Sequence, residues 1–429
     1  NSLTSNGTWS VVGSATGLKI NEQIKYSGSA SIEFDLVSTG DGIQNTTATA
    51  KDLTDYDELA DVIFPVYFGD VSNLTSITVI FGNDLTFRAS GQLEALGAGI
   101  NVSRGDLAFS INFASMDKDG NIIDRRVART LNSEEAAILS MAINKIKISC
   151  EFVFKPLIQH RAVLVFRGGF SENILGNDLT YNQGQAREVR KVQPCKALED
   201  DENSQYTCNV VNEFLKKSYE ILKEHPINID RQKRGLLPAN CLLIRAPGVE
   251  VPQLRRYHRW ASITYMPLEM GFSKISGMEV FSFDYPLFDE IDAYANLWQG
   301  LKQACDFAIS SIKRNSKNFD YIYVHINEVG FPGHDNKPLE KKMMLEHIDR
   351  TLFRFLRGFA PPNKVKVLVT GTNSVPCKLK GHTADPVPVL FYNMSLPKEK
   401  HFNEKEARLG SLGRILGQEL LKKVGFISS

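Results

Sequence analysis

The chain has 429 residues, enough for two or three domains with cores of their own. Its 50 Lys and Arg balance 49 Asp and Glu to a net charge of +1, which gives no footprint for nucleic acid or an anionic membrane surface. No apolar run reaches the roughly 20 residues that span a bilayer, and the 6 scattered cysteines include no CxxC pair, which argues against a zinc ribbon and for a reducing compartment.

Residues 1–86 are rich in Ser, Thr, Gly and Asn and poor in Lys and Arg. Short alternating runs such as "SASIEFDLV" and "TSITVIF" sit between turn clusters like "STGDG", a pattern that predicts a β-rich segment. The stretch from Ala50 to Asp84 resembles the first half of a jelly-roll module of the kind that binds carbohydrate on bacterial and phage surfaces. A half sandwich leaves sheet edges that another element must cover. Asn-x-Ser/Thr triplets at Asn6, Asn45, Asn73, Asn101 and Asn393 are concentrated in the same region. They open a secreted or surface reading beside the cytoplasmic one that the cysteines favour.

The texture changes from about residue 87. Asn132 or Ser133, followed by Glu134 and Glu135, reads as the capped start of a helix running to about Ile146. Helical periodicity follows in Val211, Phe214, Leu215, Ser218 and Leu222, and Pro226 ends that helix. A second periodic run carries Leu297, Leu301, Ala304, Ala308 and Ile312, and a third carries Leu345, Ile348, Leu352 and Phe355. Apolar runs of strand length lie at 161–166, 240–244, 321–326, 366–371 and 387–392. Strands buried on both faces and alternating with helices predict an α/β fold, with 321–326 beside 366–371 in one mostly parallel sheet and helices on both faces.

The segments "GQLEALGAGI", "DLAFSINFASMDKDGNIIDRRVAR", "HRAVLVFRG", "HPINIDRQKRGLLPANCLLIRAPG", "YIYVHINEVGFPGHDNKPLEKKMMLEHID" and "KLKGHTADPVPVLFY" occur in this order. Together, over residues 88–429, they resemble the archaeal-type, cofactor-independent phosphoglycerate mutases of the alkaline phosphatase superfamily. The resemblance implies an alkaline-phosphatase-like domain over 249–429 and an inserted α+β substrate-binding domain over 87–248, behind the β-rich segment 1–86. It also implies two divalent metals and a serine that carries the phosphoryl group between the two hydroxyls of phosphoglycerate. Arginine forks would hold the substrate's carboxylate and phosphate meanwhile.

Residue by residue, the substrate side follows the family's pattern at Asp124, Arg125, Arg126 and Arg129, at His160 and Arg161, and at Arg231. The metal side keeps His334 and Asp335 in "GHD" and His382 in "GHTADPVP". It departs elsewhere: Gly330 stands for a ligand Asp, Thr372 and Asn373 replace an Asp-His pair, and Asn73 falls where the nucleophilic Ser belongs. In "RAPG", Ala246 takes the place of a glycine. Neutral Thr and Asn cannot balance two dications, so His334, Asp335 and His382 are expected to form a vestigial site with no tightly bound ion, or one for Mn, Zn or Mg if the site works. The resemblance with these losses implies a catalytically degenerate homologue, reused as a structural or interaction protein with protein partners in a larger assembly and retaining a site for phosphoglycerate or another small phosphate. An active metal-dependent mutase and a carbohydrate-binding surface protein are the alternatives.

Overall fold

The computed structural model describes residues 9–12, 16–21, 31–35, 42–45, 90–178, 191–286, 292–393 and 402–427. The chain divides into two compact units. One comprises Asn1–Asp84, Gln183–Arg187 and Leu416–Glu419; the other comprises Leu85–Asn182, Glu188–Ile415 and Leu420–Ser429.

In the first unit, β1 (Trp9–Val12) pairs antiparallel with β4 (Gly42–Asn45), and β2 (Thr16–Asn21) pairs antiparallel with β3 (Ser31–Asp35). The β-rich character expected of this region holds for these strands. Residues 46–86, on which the jelly-roll resemblance mainly rests, lie outside the described residues, as do Asn73 and the serines near it.

Among the described residues, the second unit has two larger sheets and two two-stranded pairs. The first is antiparallel: β5 (Leu107–Met116) lies between β11 (Cys241–Gly248) and β8 (Arg161–Phe166), with β7 (Phe152–Pro156) outside β8 and the short β6 (Ile122–Asp124) pairing with β5. Side chains alternate along β5 with period two. Leu107, Phe109, Ile111 and Phe113 enter a core shared with Leu164 and Phe166 and with Phe214 of α3 (Glu202–Lys223). Edge-to-face rings in this core, such as Phe166 against Phe214 with centroids 5.6 Å apart, add to the area buried. Helix α2 (Ser133–Ile143) joins the same layer and begins where the sequence predicts. Asn132 accepts from the Glu135 N–H, and the Glu135 carboxylate reaches back to the Asn132 N–H. Pro226 opens α4 (Pro226–Lys233) directly after α3. Two short strands, β9 (Ile174–Leu175) and β10 (Lys196–Ala197), form a separate antiparallel pair.

The opposite face of β5 and β8, through Ala108, Val163 and Val165, is covered by Ala95 of α1 (Ser90–Gly97). That helix also crosses α5 (Pro267–Ile275) at backbone contact. A Cβ at Gly97 would sit 1.8 Å from the Pro267 carbonyl oxygen, and one at Gly271 would sit 1.9 Å from that of Leu93. Only glycine fits at either position, and this crossing joins the antiparallel sheet to the second sheet.

The second sheet is parallel, with β12 (Trp260–Ile263) between β13 (Glu279–Phe281) and β14 (Tyr321–Val324). All four residues of β12 are buried, as a strand covered on both faces must be. Its cover includes α6 (Ala293–Asn315), which buries Leu297, Leu301, Ala304, Ala308 and Ile312 as the periodicity predicts. After β14 come a single helical turn, α7 (Gly330–His334), and then α8 (Pro338–Ile348), which passes through a π turn (Asp349–Phe353) into α9 (Arg354–Phe359).

Two expectations are corrected here. Leu345 is half exposed, and Met344 takes its place beside Ile348 and Leu352 in the core. The wide π turn keeps a four-residue step on the buried side, which a regular helix would drift away from. The second correction is that β15 (Val367–Thr370) does not neighbour β14. It pairs antiparallel with β16 (Val389–Tyr392), because the intervening chain turns back and brings its own partner strand.

Among the described residues, no helix is long and apolar enough to cross a membrane.

Candidate anion-binding site

The segment after β6 is strained. Val127, Ala128 and Arg129 have φ of +52°, +49° and +57° in succession. Left-handed backbone costs roughly 1–2 kcal/mol for each L residue, and more for a β-branched one such as Val127. Asp124 holds the turn: one carboxylate oxygen accepts from the Arg126 N–H at 2.7 Å and the Ala128 N–H at 2.8 Å. The structure therefore places Asp124 as a backbone cap. Strain of this kind collects where side chains must be aimed, and this turn aims two arginines at one carboxylate. Arg126 and Arg129 approach Asp335 at 3.8 Å and 3.1 Å, with the Arg129 guanidinium 4.7 Å over the Phe331 ring. Tyr294 donates to the other oxygen of Asp335 at 2.8 Å.

A second group of cations comes from the polar rows of the antiparallel sheet. The pairing sets Ser110 opposite Arg245 on β11 and Asn112 opposite Arg161 on β8. The buried Glu94 of α1 accepts from Ser110 Oγ at 2.7 Å and lies 3.9 Å from Arg161. Burial pushes the Glu94 carboxyl up, against the pull of Arg161 and Arg245. His160, just before β8, is buried. Burial first, and then the charges of Arg126, Arg129, Arg161 and Arg245, hold its imidazole well below the usual range, so it stays neutral. One buried imidazole thus feels four guanidinium groups brought from the strained turn, β8 and β11. Arg125 turns aside to Asp178, which Arg245 also approaches at 3.7 Å.

Arg231 stands apart from this group and is fully buried. It is bound by Glu135, donates to Thr130 Oγ1 at 2.8 Å and the Thr130 carbonyl at 3.1 Å, and donates through Nε to the Leu237 carbonyl at 2.9 Å. Its fork is occupied by protein groups, so its geometry is that of a fold anchor between α2 and α4.

On the metal side, the rings of His334 and His382 lie 5.0 Å apart. His334 Nδ1 is 3.1 Å from the Lys380 carbonyl. Burial pushes His334 down to about 4, with further lowering from Arg126, His382 and Arg129. Burial, and then Arg126, lowers His382 as well. Asp335 is committed to Arg126, Arg129 and Tyr294. Among the described residues, no three His, Cys, Asp or Glu side chains converge as a metal cage. The donor set among the described residues does not fill a dinuclear centre. Gly330, at the missing Asp position, has open space where a side chain would point.

Sequence reasoning did not single out Glu94, Asp178, Arg245 or Tyr294. Glu94 and Arg245 stand inside the segments "GQLEALGAGI" and "RAPG", so their motifs carried a signal. Nothing local marks Asp178 or Tyr294.

Comparison with known proteins identifies the family. Residues 72–228 match the profile of the 2,3-bisphosphoglycerate-independent phosphoglycerate mutase family, and residues 299–426 match that of the metalloenzyme superfamily. The 2,3-bisphosphoglycerate-independent phosphoglycerate mutase of Pyrococcus horikoshii is 33% identical over 353 residues, which cover 80% of each chain. That of Methanopyrus kandleri is 34% identical over 341 residues, covering 77% of each. A solved Pyrococcus horikoshii structure superposes with a TM-score of 0.56 at 24% identity, over 80% of each chain, and shows the same fold. On the sequence matches, the chain belongs to the archaeal-type, 2,3-bisphosphoglycerate-independent phosphoglycerate mutases of the alkaline phosphatase superfamily.

Proposed function

We propose that this chain acts on phosphoglycerate, interconverting the 3- and 2-phospho isomers, and that Arg126, Arg129, Arg161 and Arg245 form the grip on the substrate. The observation that carries this reading is geometric: Arg126 and Arg129 meet at Asp335, while Arg161 approaches the buried Glu94 and Arg245 approaches the buried Asp178. A phosphoglycerate carries a carboxylate and a phosphate, and guanidinium forks bind both through paired, charge-assisted hydrogen bonds. His160, neutral at pH 7, adds a donor or acceptor without adding charge. Asp335 and Glu94 keep the cations apart and oriented in the free protein. An entering anion competes with Asp335 for Arg126 and Arg129, and Tyr294 retains the displaced carboxylate. The family's reaction is metal-dependent.

A second reading, a homologue that binds phosphoglycerate without turning it over and serves as an interaction protein, is favoured by Gly330, Thr372 and Asn373 at the ligand positions. A coupled enolase assay with added Mn²⁺, Zn²⁺ or Mg²⁺, run beside calorimetric titration with 3-phosphoglycerate, separates the two. Metal-dependent turnover supports the first reading, and saturable binding without turnover supports the second. Absence of both rejects the site itself.

A further inference from the structure

Cys195 and Cys208 are 13 residues apart and belong to different elements. Cys208 lies in the second turn of α3, and Cys195 directly precedes β10. Their sulfurs are 3.2 Å apart, and both side chains are buried in the core of the antiparallel sheet. A disulfide has a sulfur–sulfur length of about 2.05 Å, so an approach of ~1.2 Å separates the two thiols from a bond. The backbone around them is already fixed. Asn212, one turn beyond Cys208, accepts from the Cys195 N–H at 2.8 Å and donates to the Cys195 carbonyl at 3.0 Å. This double clamp holds Cys195 against the face of α3 that presents Cys208.

We propose that Cys195 and Cys208 form a disulfide site, oxidised by a small-molecule disulfide of the glutathione class. One protein thiol, as its thiolate, attacks the small disulfide, breaking its S–S bond and releasing one small thiol. The second protein sulfur then displaces the other small thiol from the mixed disulfide. Two protein thiols are oxidised and one small disulfide is reduced to two thiols, so protons and electrons balance. Burial pushes both thiols up, Cys195 more strongly, and the contact with Cys195 partly offsets this at Cys208. Thiolate is therefore scarce at both sulfurs, and the reaction is slow in the folded protein.

The bond has a structural consequence. It ties the β9–β10 pair to α3, and β9 leads within three residues to Asp178. Asn177 accepts from the Ile244 N–H at 2.7 Å and donates to the Leu242 carbonyl at 2.9 Å, while Asp178 receives Arg125 and Arg245. A covalent link at Cys195 thus braces the strand pair that delivers a carboxylate to the arginine cluster. The inference does not depend on the function proposed above.

The full chain, incubated with oxidised glutathione, is then unfolded and alkylated, and its intact mass and linked peptides are measured. Of its 6 cysteines, four are expected to take label after oxidation and all of them after reduction, with the peptides bearing Cys195 and Cys208 joined. In Cys208→Ser, the same number of sulfurs is labelled with and without the oxidant. Full labelling of the oxidised wild type, or a link between any other pair, overturns the proposal. The wild-type peptide map decides alone should the variant fail to fold.

Discussion

Replacing Arg231 with Met separates the substrate role that its motif implies from the anchor role that its contacts give it. The guanidinium is fully buried and shared among Glu135, both oxygens of Thr130 and the Leu237 carbonyl. Methionine fills most of the volume, so the chief loss is electrostatic: a buried carboxylate loses a partner and two carbonyls lose donors. Breaking a buried ion pair from one side costs about 3–5 kcal/mol. Arg234 stays 2.8 Å from the other oxygen of Glu135 and compensates in part. The expected loss is therefore at the lower end, about 3 kcal/mol, against a typical total stability of 5–15 kcal/mol. Urea unfolding followed by tryptophan fluorescence reads the loss. Titration of the folded variant with 3-phosphoglycerate reads affinity, which should match the wild type. A variant that keeps its stability but loses affinity tenfold or more would return Arg231 to the substrate site and refute the anchor role.

Three further outcomes follow from the geometry. Ala246 occupies the family's glycine position at φ +51°, so Ala246→Gly should stabilise the protein by roughly 0.5–1 kcal/mol; a lower melting temperature would count against strain there. His334 is pushed down to about 4, below the roughly 6.5 of an unfolded histidine. As pH falls below that value the unfolded chain takes the proton first. The folded state's advantage is complete above about 6.5 and is lost progressively toward 4, and His334→Gln should flatten that decline in acid urea melts. Finally, a side chain added at Gly330 meets open space. Gly330→Asp combined with Thr372→Asp and Asn373→His should raise Mn²⁺ or Zn²⁺ affinity at least tenfold by calorimetry, and unchanged affinity would show that the described histidines are not the remnant of a metal site.

Much of the fold was legible because its signals are local. The Asn132 cap, the Pro226 break and the stripes of α3 and α6 each depend on residues within a few positions of one another. The π turn after α8 and the pairing of β15 with β16 were not legible, since neither leaves a mark on hydrophobic spacing. The site was legible as a set of motifs but not as a set of roles. "DRRVAR" announces three arginines, yet Arg125 turns to Asp178 while Arg126 and Arg129 turn to Asp335, and only the left-handed turn at 127–129 explains the split. Asp335, expected beside a metal ion from its place next to His334, meets guanidinium groups because that turn delivers them. Long-range partners such as Asp178 and Tyr294 carry no motif and emerge only once the chain is folded.

Titration of the wild-type protein and of Arg126→Leu with 3-phosphoglycerate, at pH 7 and low salt, tests the central claim most directly. Arg126 keeps a partly exposed side chain, so its loss should leave the fold intact. A charge-assisted hydrogen bond contributes about 1.5–3 kcal/mol, which corresponds to a weakening of about 10- to 100-fold. The account predicts saturable binding to the wild type and this loss in the variant. No heat of binding in the wild type, or equal affinity in the two proteins, would contradict it.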